Sequence, residues 1–310
     1  MTRVLITGAS GLLGINLALE AIKNYEVVGV IHEQPLTEPG FKTIQADLLE
    51  PNTVSQVLDE LKPDWVINCA ALAGLDDCER QPDLAQRLNA VMPGRLAGEA
   101  AKRSLRFLQI STDAVFDGLK GNYDEEDSPA PISVYGRTKR LAELAVKAMH
   151  SHALIVRTNF FGWSINAQRS LAEFFYNNLS MGNPVPGYID RIFCPLLVTD
   201  LAGILLELIE KNLRGIYHAC SSDYLSKYEF GVAIANRFGM DSSLIEAKIT
   251  SDSPAPRSLN LSLRATRVVN ALGRRTPTVV EGIERLYEQF QSGYQSKLQS
   301  MAVVREVAKG

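Results

Sequence analysis

The chain predicts an α/β fold, a doubly wound parallel sheet with a smaller mixed C-terminal lobe. Three observations carry that reading. Short β-branched apolar runs alternate with helical stretches from Arg3 to Arg157. A glycine-rich turn, Gly8-Ala9-Ser10-Gly11-Leu12-Leu13-Gly14, joins the first run to the first helix. Beyond Arg157 the alternation stops and Gly/Pro-rich stretches enter. Strand–helix alternation favours parallel strands covered on both faces, because each crossover helix lies back on the sheet.

The elements follow in order. Arg3–Thr7 is the first strand, and Ile15–Ile22 a buried helix. Glu26–Ile31 is the second strand; Thr43–Ala46 is a short third one, ending at Asp47. Asn52–Leu61 reads as a helix stopped by Pro63, whose ring forbids its continuation. Asp64–Cys69 is the fourth strand, with Ala70-Ala71 opening its loop. Pro82–Arg103 reads as one long helix, with Gly94 and Gly98 a turn apart for close packing. Arg106–Ser111 and Ala153–Arg157 are the fifth and sixth strands, flanking a helix over Ser133–His150. The second half predicts helices at Ser170–Leu179, Leu197–Glu210, Lys227–Phe238 and Thr278–Phe290, a strand at Gly215–Ala219, and loops at Gly182–Gly187 and Ser251–Arg257. The predicted domains are 1–160 for the nucleotide, completed by about 190–220, and 161–189 plus 221–290 for the substrate. The polar tail, 291–310, is expected to fray.

Composition narrows the function. A net charge of -3 argues against a general nucleic-acid partner. No apolar run approaches the ~20 residues of a membrane span. The first strand begins at Arg3, which leaves no room for a signal peptide. Cys69, Cys78, Cys194 and Cys220 form no metal spacing and suggest reduced thiols in the cytoplasm. His150 and His152 read as a solvated helix end, and Asp124–Asp127 as a solvated acidic loop, so no metal is expected.

The opening turn carries the first chemistry. Glycines let the backbone approach a pyrophosphate, and the helix end offers free N–H groups and partial positive charge. The spacing is GxxGxxG rather than GxGxxG. Two further stretches make the site catalytic: Ser111-Thr112-Asp113 after the fifth strand, and Tyr135-Gly136-Arg137-Thr138-Lys139 opening the next helix. Residues four apart share a helix face, so Tyr135 and Lys139 are neighbours. An ammonium ~4 Å from the phenol, at an effective dielectric of ~20, favours the phenolate by ~4 kcal/mol. Desolvation offsets part of this, leaving a tyrosine expected near neutrality and able to protonate a carbonyl oxygen. The Thr112 hydroxyl is expected to hold the same oxygen. In parallel sheets all three pieces meet at the strand carboxyl ends.

The ordered set resembles the extended short-chain dehydrogenase/reductases, with their Rossmann-type sheet. TGASGLLG, Asn68–Ala71, STDAVFDG (Ser111–Gly118), SVYGRTKRLAE (Ser133–Glu143) and VRTNFFG (Val156–Gly162) match in order and spacing. The STD-x-VFDG stretch is most similar to the dTDP-4-dehydrorhamnose reductase group, which includes a regulatory β subunit of methionine adenosyltransferase. The resemblance implies that Gly8, Ser10, Gly11, Leu12, Leu13 and Gly14 hold a pyrophosphate. It implies that Asp47 and Leu48 flank the adenine and that Ala70, Ala71 and Leu72 line the ribose side. Tyr135 and Lys139 would also bind the nicotinamide ribose. Thr112, Asp113, Phe160 and Arg257 would meet the sugar nucleotide.

The implied activity is reduction of a 4-keto nucleotide sugar with NADP(H) or NAD(H). The alternatives are an epimerase with bound NAD and a non-catalytic, cofactor-binding regulatory subunit. His32, not an acid, ends the second strand, which slightly prefers NADP(H), although Glu33 follows and could select NAD(H). Ala114 stands where such reductases carry an aromatic and where 4,6-dehydratases carry glutamate. Dehydration is therefore disfavoured and the sugar left open. A homodimer is compatible with the resemblance.

Overall fold

The structure is a computed structural model that describes residues 1–250 and 257–303. Seven parallel strands form the main sheet: β1 (Arg3–Thr7), β2 (Glu26–Ile31), β3 (Lys42–Gln45), β4 (Trp65–Asn68), β5 (Arg106–Thr112), β6 (Leu154–Thr158) and β7 (Gly215–Ala219). Their spatial order is β7-β6-β5-β4-β1-β2-β3. The order reverses direction at β1, and such a switch point opens a crevice at the strand carboxyl ends.

Both faces of the sheet are covered. Helices α1 (Leu12–Ala21) and α6 (Val198–Glu210) bury Leu13, Leu17, Leu201 and Leu205 against Val4, Ile6 and Val156. On the other face α2 (Thr53–Leu61), α3 (Met92–Lys102) and α4 (Val134–Met149) bury Leu58, Leu96 and Val146 against Leu5, Phe107 and Ile155. The central strands are apolar on both sides for this reason, and their sequences run apolar instead of alternating. Three buried polar side chains cross the sheet: Thr7 Oγ1 donates to Asn68 Oδ1 at 2.5 Å, and Asn68 Nδ2 to Gln109 Oε1 at 2.8 Å.

The long helix expected over Pro82–Arg103 is broken. Pro82–Gln86 is helical, Arg87–Val91 is a π turn, and Met92–Lys102 is helical again. Pro93 has no N–H for the carbonyl of Asn89, and the wider turn absorbs that defect. The Asn89 side chain bonds both backbone groups of Leu72, its Oδ1 accepting at 2.8 Å and its Nδ2 donating at 2.9 Å. A short helix at Leu75–Arg80 precedes this segment and was not expected.

A second lobe packs around Phe161, Trp163, Phe175, Phe193, Phe230 and Ile283, built on α5 (Leu171–Ser180), α7 (Lys227–Phe238) and α8 (Val279–Gln291). Each of the three helices begins with a capping box, Ser170/Glu173, Ser226/Glu229 and Thr278/Glu281, which satisfies orphan backbone donors reciprocally. The described part of the tail, up to residue 303, does not fray as its polarity predicts. Tyr294–Ser300 is a helix, α9, with Leu298 and Met301 buried in this lobe. Tyr294 Oη donates to Asn16 Oδ1 at 2.8 Å, and Thr37 N to Met301 O at 2.9 Å. Residues 304–310 of the tail and 251–256 of the expected SDSPAPR loop lie outside the described residues.

The structure bears on other expectations as well. The acidic run is tied down: Glu125 Oε1 accepts from His218 N at 3.0 Å, Asp127 pairs with Lys120 at 2.6 Å, and Glu126 meets Arg267. His150 Nε2 lies 2.8 Å from Leu105 O, and the ring stacks on Phe107. The four cysteines are free thiols. Among the described residues no helix is long and apolar enough to cross a membrane.

Candidate active site

A cavity of about 380 Å³ opens at the carboxyl ends of β1, β4, β5 and β6. Its first wall is the opening turn. Gly8 is left-handed at φ +64, and a Cβ there would sit 2.9 Å from the Ala70 backbone. A Cβ on Gly14 would sit 2.1 Å from Gly8 O, so the helix can seat on the turn only without one. These two glycines shape the turn; Gly11, Leu12, Leu13 and Gly14 line the cavity. No side chain caps the start of α1, so its first amides face the groove free.

The second wall joins β5 to α4. Gly136 allows the helix to meet the turn after β5, because a Cβ there would fall 2.2 Å from Ala114 O. Ser133 caps α4, its Oγ accepting from Gly136 N at 3.1 Å. This close approach places Tyr135 and Lys139 beside Thr112 and Asp113, and all four line the cavity. Thr112 Oγ1 donates to Asp113 Oδ1 at 2.9 Å and accepts from Ala114 N at 3.1 Å. Asn159 Nδ2 donates to Asp113 Oδ2 at 2.8 Å. Both Asp113 oxygens are thus engaged inside the protein, and burial raises its carboxyl above the usual range.

The expected coupling of Tyr135 to Lys139 is corrected here. Lys139 Nζ donates to Ile110 O at 2.6 Å, at the end of β5. Burial lowers the ammonium to about 8, with Glu143 acting in the opposite sense. Desolvation pushes the Tyr135 phenol above its ordinary value; Thr112 opposes this by hydrogen bonding, and Asp113 and Cys78 add to it. The four-residue spacing puts two Cβ atoms on one face, but the strand carbonyl takes the ammonium. Burial therefore acts against the phenolate that the spacing favours.

Behind Lys139, one turn on, Glu143 is the centre of a buried network. Ser111 Oγ donates to Glu143 Oε1 at 2.7 Å, Arg157 Nε to Oε1 at 2.8 Å and Arg157 Nη2 to Oε2 at 2.9 Å. Arg157 Nη1 lies 3.3 Å from His218 Nε2. His218 Nδ1 lies 3.2 Å from Tyr123 O, which assigns the proton to Nδ1 and leaves Nε2 to accept from Arg157. Burial, then Arg157, lowers His218 to about 4.

The third wall is cationic and comes from the second lobe and its connections. Arg169, Arg191, Lys227 and Arg257 all line the cavity. Arg191 lies over the Tyr188 ring at 3.9 Å and donates through Nε to Thr250 Oγ1 at 2.8 Å. Arg257 Nη2 donates to both oxygens of Asp76, at 2.8 and 2.9 Å. Burial, with Arg191 and Arg257 nearby, lowers Lys227 to about 8.

Of the other expected site residues, Ala71 and Phe160 line the cavity. Gly8, Ser10, His32, Asp47, Leu48, Ala70 and Leu72 lie outside its lining. Leu72 is turned to Asn89, Leu48 is buried under β2 with its carbonyl taken by Arg95, and His32 Nε2 stands 3.8 Å from Asp47 Oδ2. Arg169, Arg191 and Lys227 had no sequence signal, and Asn159 lay within VRTNFFG without being singled out. The capping pattern Ser226-x-x-Glu229 marks the start of α7, but nothing in it aims Lys227 at the cavity.

Comparison with known proteins adds four likenesses. The family model described as RmlD substrate binding domain matches residues 1–292. "Probable low-salt glycan biosynthesis reductase Agl14" of Haloferax volcanii is 35% identical over 301 residues, covering 94% of this chain and 99% of that one. Methionine adenosyltransferase 2 subunit beta of Rattus norvegicus is 33% identical over 288 residues, covering 89% and 84%. Among solved structures, dTDP-4-dehydrorhamnose reductase from Bacillus anthracis in complex with NADP superposes with a TM-score of 0.82 at 27% identity, over 93% of this chain and 100% of that one.

Proposed function

The chain belongs to the RmlD substrate binding domain family, within the extended short-chain dehydrogenase/reductases, and from that premise we propose that it is an NAD(P)H-dependent reductase of a 4-keto nucleotide sugar. The single observation that carries this reading is the convergence of Tyr135, Thr112 and Lys139 with the α1 amides and a cationic wall on one cavity.

The residues fit a dinucleotide. The uncapped α1 amides of Leu12 and Leu13 suit a pyrophosphate. The nicotinamide, when bound, supplies the hydride. Tyr135 donates the phenolic proton to the keto oxygen: the O–H bond breaks, a C–O–H forms, and a phenolate remains. A phenol held protonated by desolvation is loaded for this direction. To stabilise that phenolate, Lys139 would have to turn its ammonium from Ile110 O toward the phenol when the coenzyme and substrate bind. The Thr112 hydroxyl, which donates to Asp113 in this structure, would turn its proton to the keto oxygen when substrate binds. Arg191, Lys227 and Arg257 suit the diphosphate of a nucleotide sugar, as a cluster of donors suits a dianion. NADP(H) is the favoured coenzyme, supported by His32 at the end of β2 and by the NADP complex of the Bacillus anthracis reductase.

The test is a panel of keto nucleotide sugars, dTDP-4-dehydrorhamnose first, with NADPH and NADH, followed at 340 nm. Turnover of at least one supports the reading. A second reading, a non-catalytic cofactor-binding subunit, is favoured by the methionine adenosyltransferase relative. Dinucleotide binding without oxidation by any keto sugar would establish it instead.

A further inference from the structure

We propose that Arg169 is a phosphate-binding residue of the dinucleotide groove, supplied to it by the second lobe. The inference rests on the dinucleotide reading above and adds a residue that no motif marks. Arg169 lines the same cavity as Gly11, Leu12, Leu13 and Gly14.

Its mount is rigid. Arg169 N and Ser170 N both donate to Glu173 Oε2, at 2.8 and 3.1 Å, and Ser164 N donates to Glu173 Oε1 at 2.6 Å. Glu173 is fully buried, so a charge-assisted network holds the whole 164–170 turn from beneath. The turn is also tied to α1, since Asn16 Nδ2 donates to Trp163 O at 3.0 Å. The backbone of Arg169 is therefore fixed relative to the helix whose free amides face the groove.

The side chain then crosses to the first domain. Arg169 Nη2 donates to Gln34 Oε1 at 2.6 Å, three residues beyond the end of β2. That partner is neutral, and among the described residues no carboxylate pairs with Arg169. A guanidinium has five N–H donors, and a single bond to an amide oxygen leaves the rest and the full charge for a ligand. Arg169 thus lines the cavity that the opening turn lines, and its tip lies by Gln34, just beyond β2. A bound dinucleotide presents phosphate at both places: the pyrophosphate at the helix start, and in NADP(H) a 2′-phosphate beyond β2. Phosphate is the shared chemistry. An exposed arginine serving only to tether the turn would not discriminate among dinucleotides.

The experiment measures Kd for NADPH and for NADH on the full chain, by protein-fluorescence quenching, in wild type, Arg169→Gln and Arg169→Lys. The Arg169 side chain is exposed, and far-UV circular dichroism checks that each variant is folded. Arg169→Gln is expected to weaken NADPH about 10-fold, with Arg169→Lys intermediate. Equal weakening of NADH that Arg169→Lys partly rescues assigns the contact to the pyrophosphate, and unchanged NADH assigns it to the 2′-phosphate; equal weakening with no rescue by Lys leaves Arg169 a structural tether and overturns the proposal. Both Kd values within about twofold of wild type overturn the proposal for Arg169 and leave the dinucleotide reading standing. A wild type that binds neither dinucleotide overturns both.

Discussion

Two walls of one cavity are built by different means. The wall of β5 and α4 is backbone-driven: Gly136 lets the helix touch Ala114, and Tyr135, Lys139, Thr112 and Asp113 come from two contiguous stretches. A buried network of Ser111, Glu143, Arg157 and His218 stands behind it. Among the described residues of the cationic wall only the Arg169 turn rests on a buried carboxylate, Glu173. Arg169, Arg191, Lys227 and Arg257 come from four separate segments and reach the cavity on long side chains. In the proposed reaction the β5–α4 wall would fix the reacting atoms, where a displacement of one ångström costs most of the rate. The cationic wall supplies charge, which acts over distance and tolerates looser placement.

Predictions that separate the walls run from large to small. The largest concerns the network behind the β5–α4 wall. His218 is lowered from 6.5 to about 4, equivalent to about 3 kcal/mol. The unfolded chain binds this proton first as pH falls, so stability present above pH 6.5 is lost progressively down to about 4. Urea midpoints of wild type and His218→Gln should differ in acid slope over that window, the variant being the flatter; parallel slopes would contradict the assignment.

Next, Tyr135→Phe should lower kcat by about 10²-fold while the Kd for NADPH stays near wild type. Near-normal turnover would remove the phenol from proton transfer. Lys227→Met, on the opposite wall, should raise KM for the nucleotide sugar by about 10-fold and change kcat little. A fall in kcat alone would move Lys227 to the reacting centre and erase the distinction between the walls. The smallest effect is at Asp76, whose exposed pair with Arg257 is worth about 0–1 kcal/mol. Asp76→Asn frees that guanidinium and should lower KM by less than about fivefold; a rise in KM would mean that Asp76 positions Arg257 for the substrate.

The two walls also differ in how far they could be read from residues alone. Gly8-x-x-Gly11-x-x-Gly14, Thr112 and Tyr135-x-x-x-Lys139 stand at fixed places along strand–helix units, and the rule for parallel sheets brings them to one edge. Arg257 alone of the cationic wall was within reach, through its resemblance to a late arginine loop. Arg169, Arg191 and Lys227 were not, because their segments are distant in sequence and join only through the packing of Phe161, Phe193 and Phe230. Lys139 shows the limit inside the legible wall: spacing put it near Tyr135, but Ile110 O took its ammonium. The tail shows the same limit, since its polar surface hid the buried Leu298 and Met301.

By itself the sequence determined the parallel sheet, its strand order of appearance and the residues that stand at its carboxyl edge. Local periodicity and glycine placement are enough for that, because each βαβ unit has one favoured hand and one favoured edge. Tertiary structure alone decided which charges face one another across the cavity, where the Lys139 proton points and how burial acts against the Tyr135 phenolate. Those properties depend on burial and on partners from distant segments, and neither is encoded within any single stretch of chain.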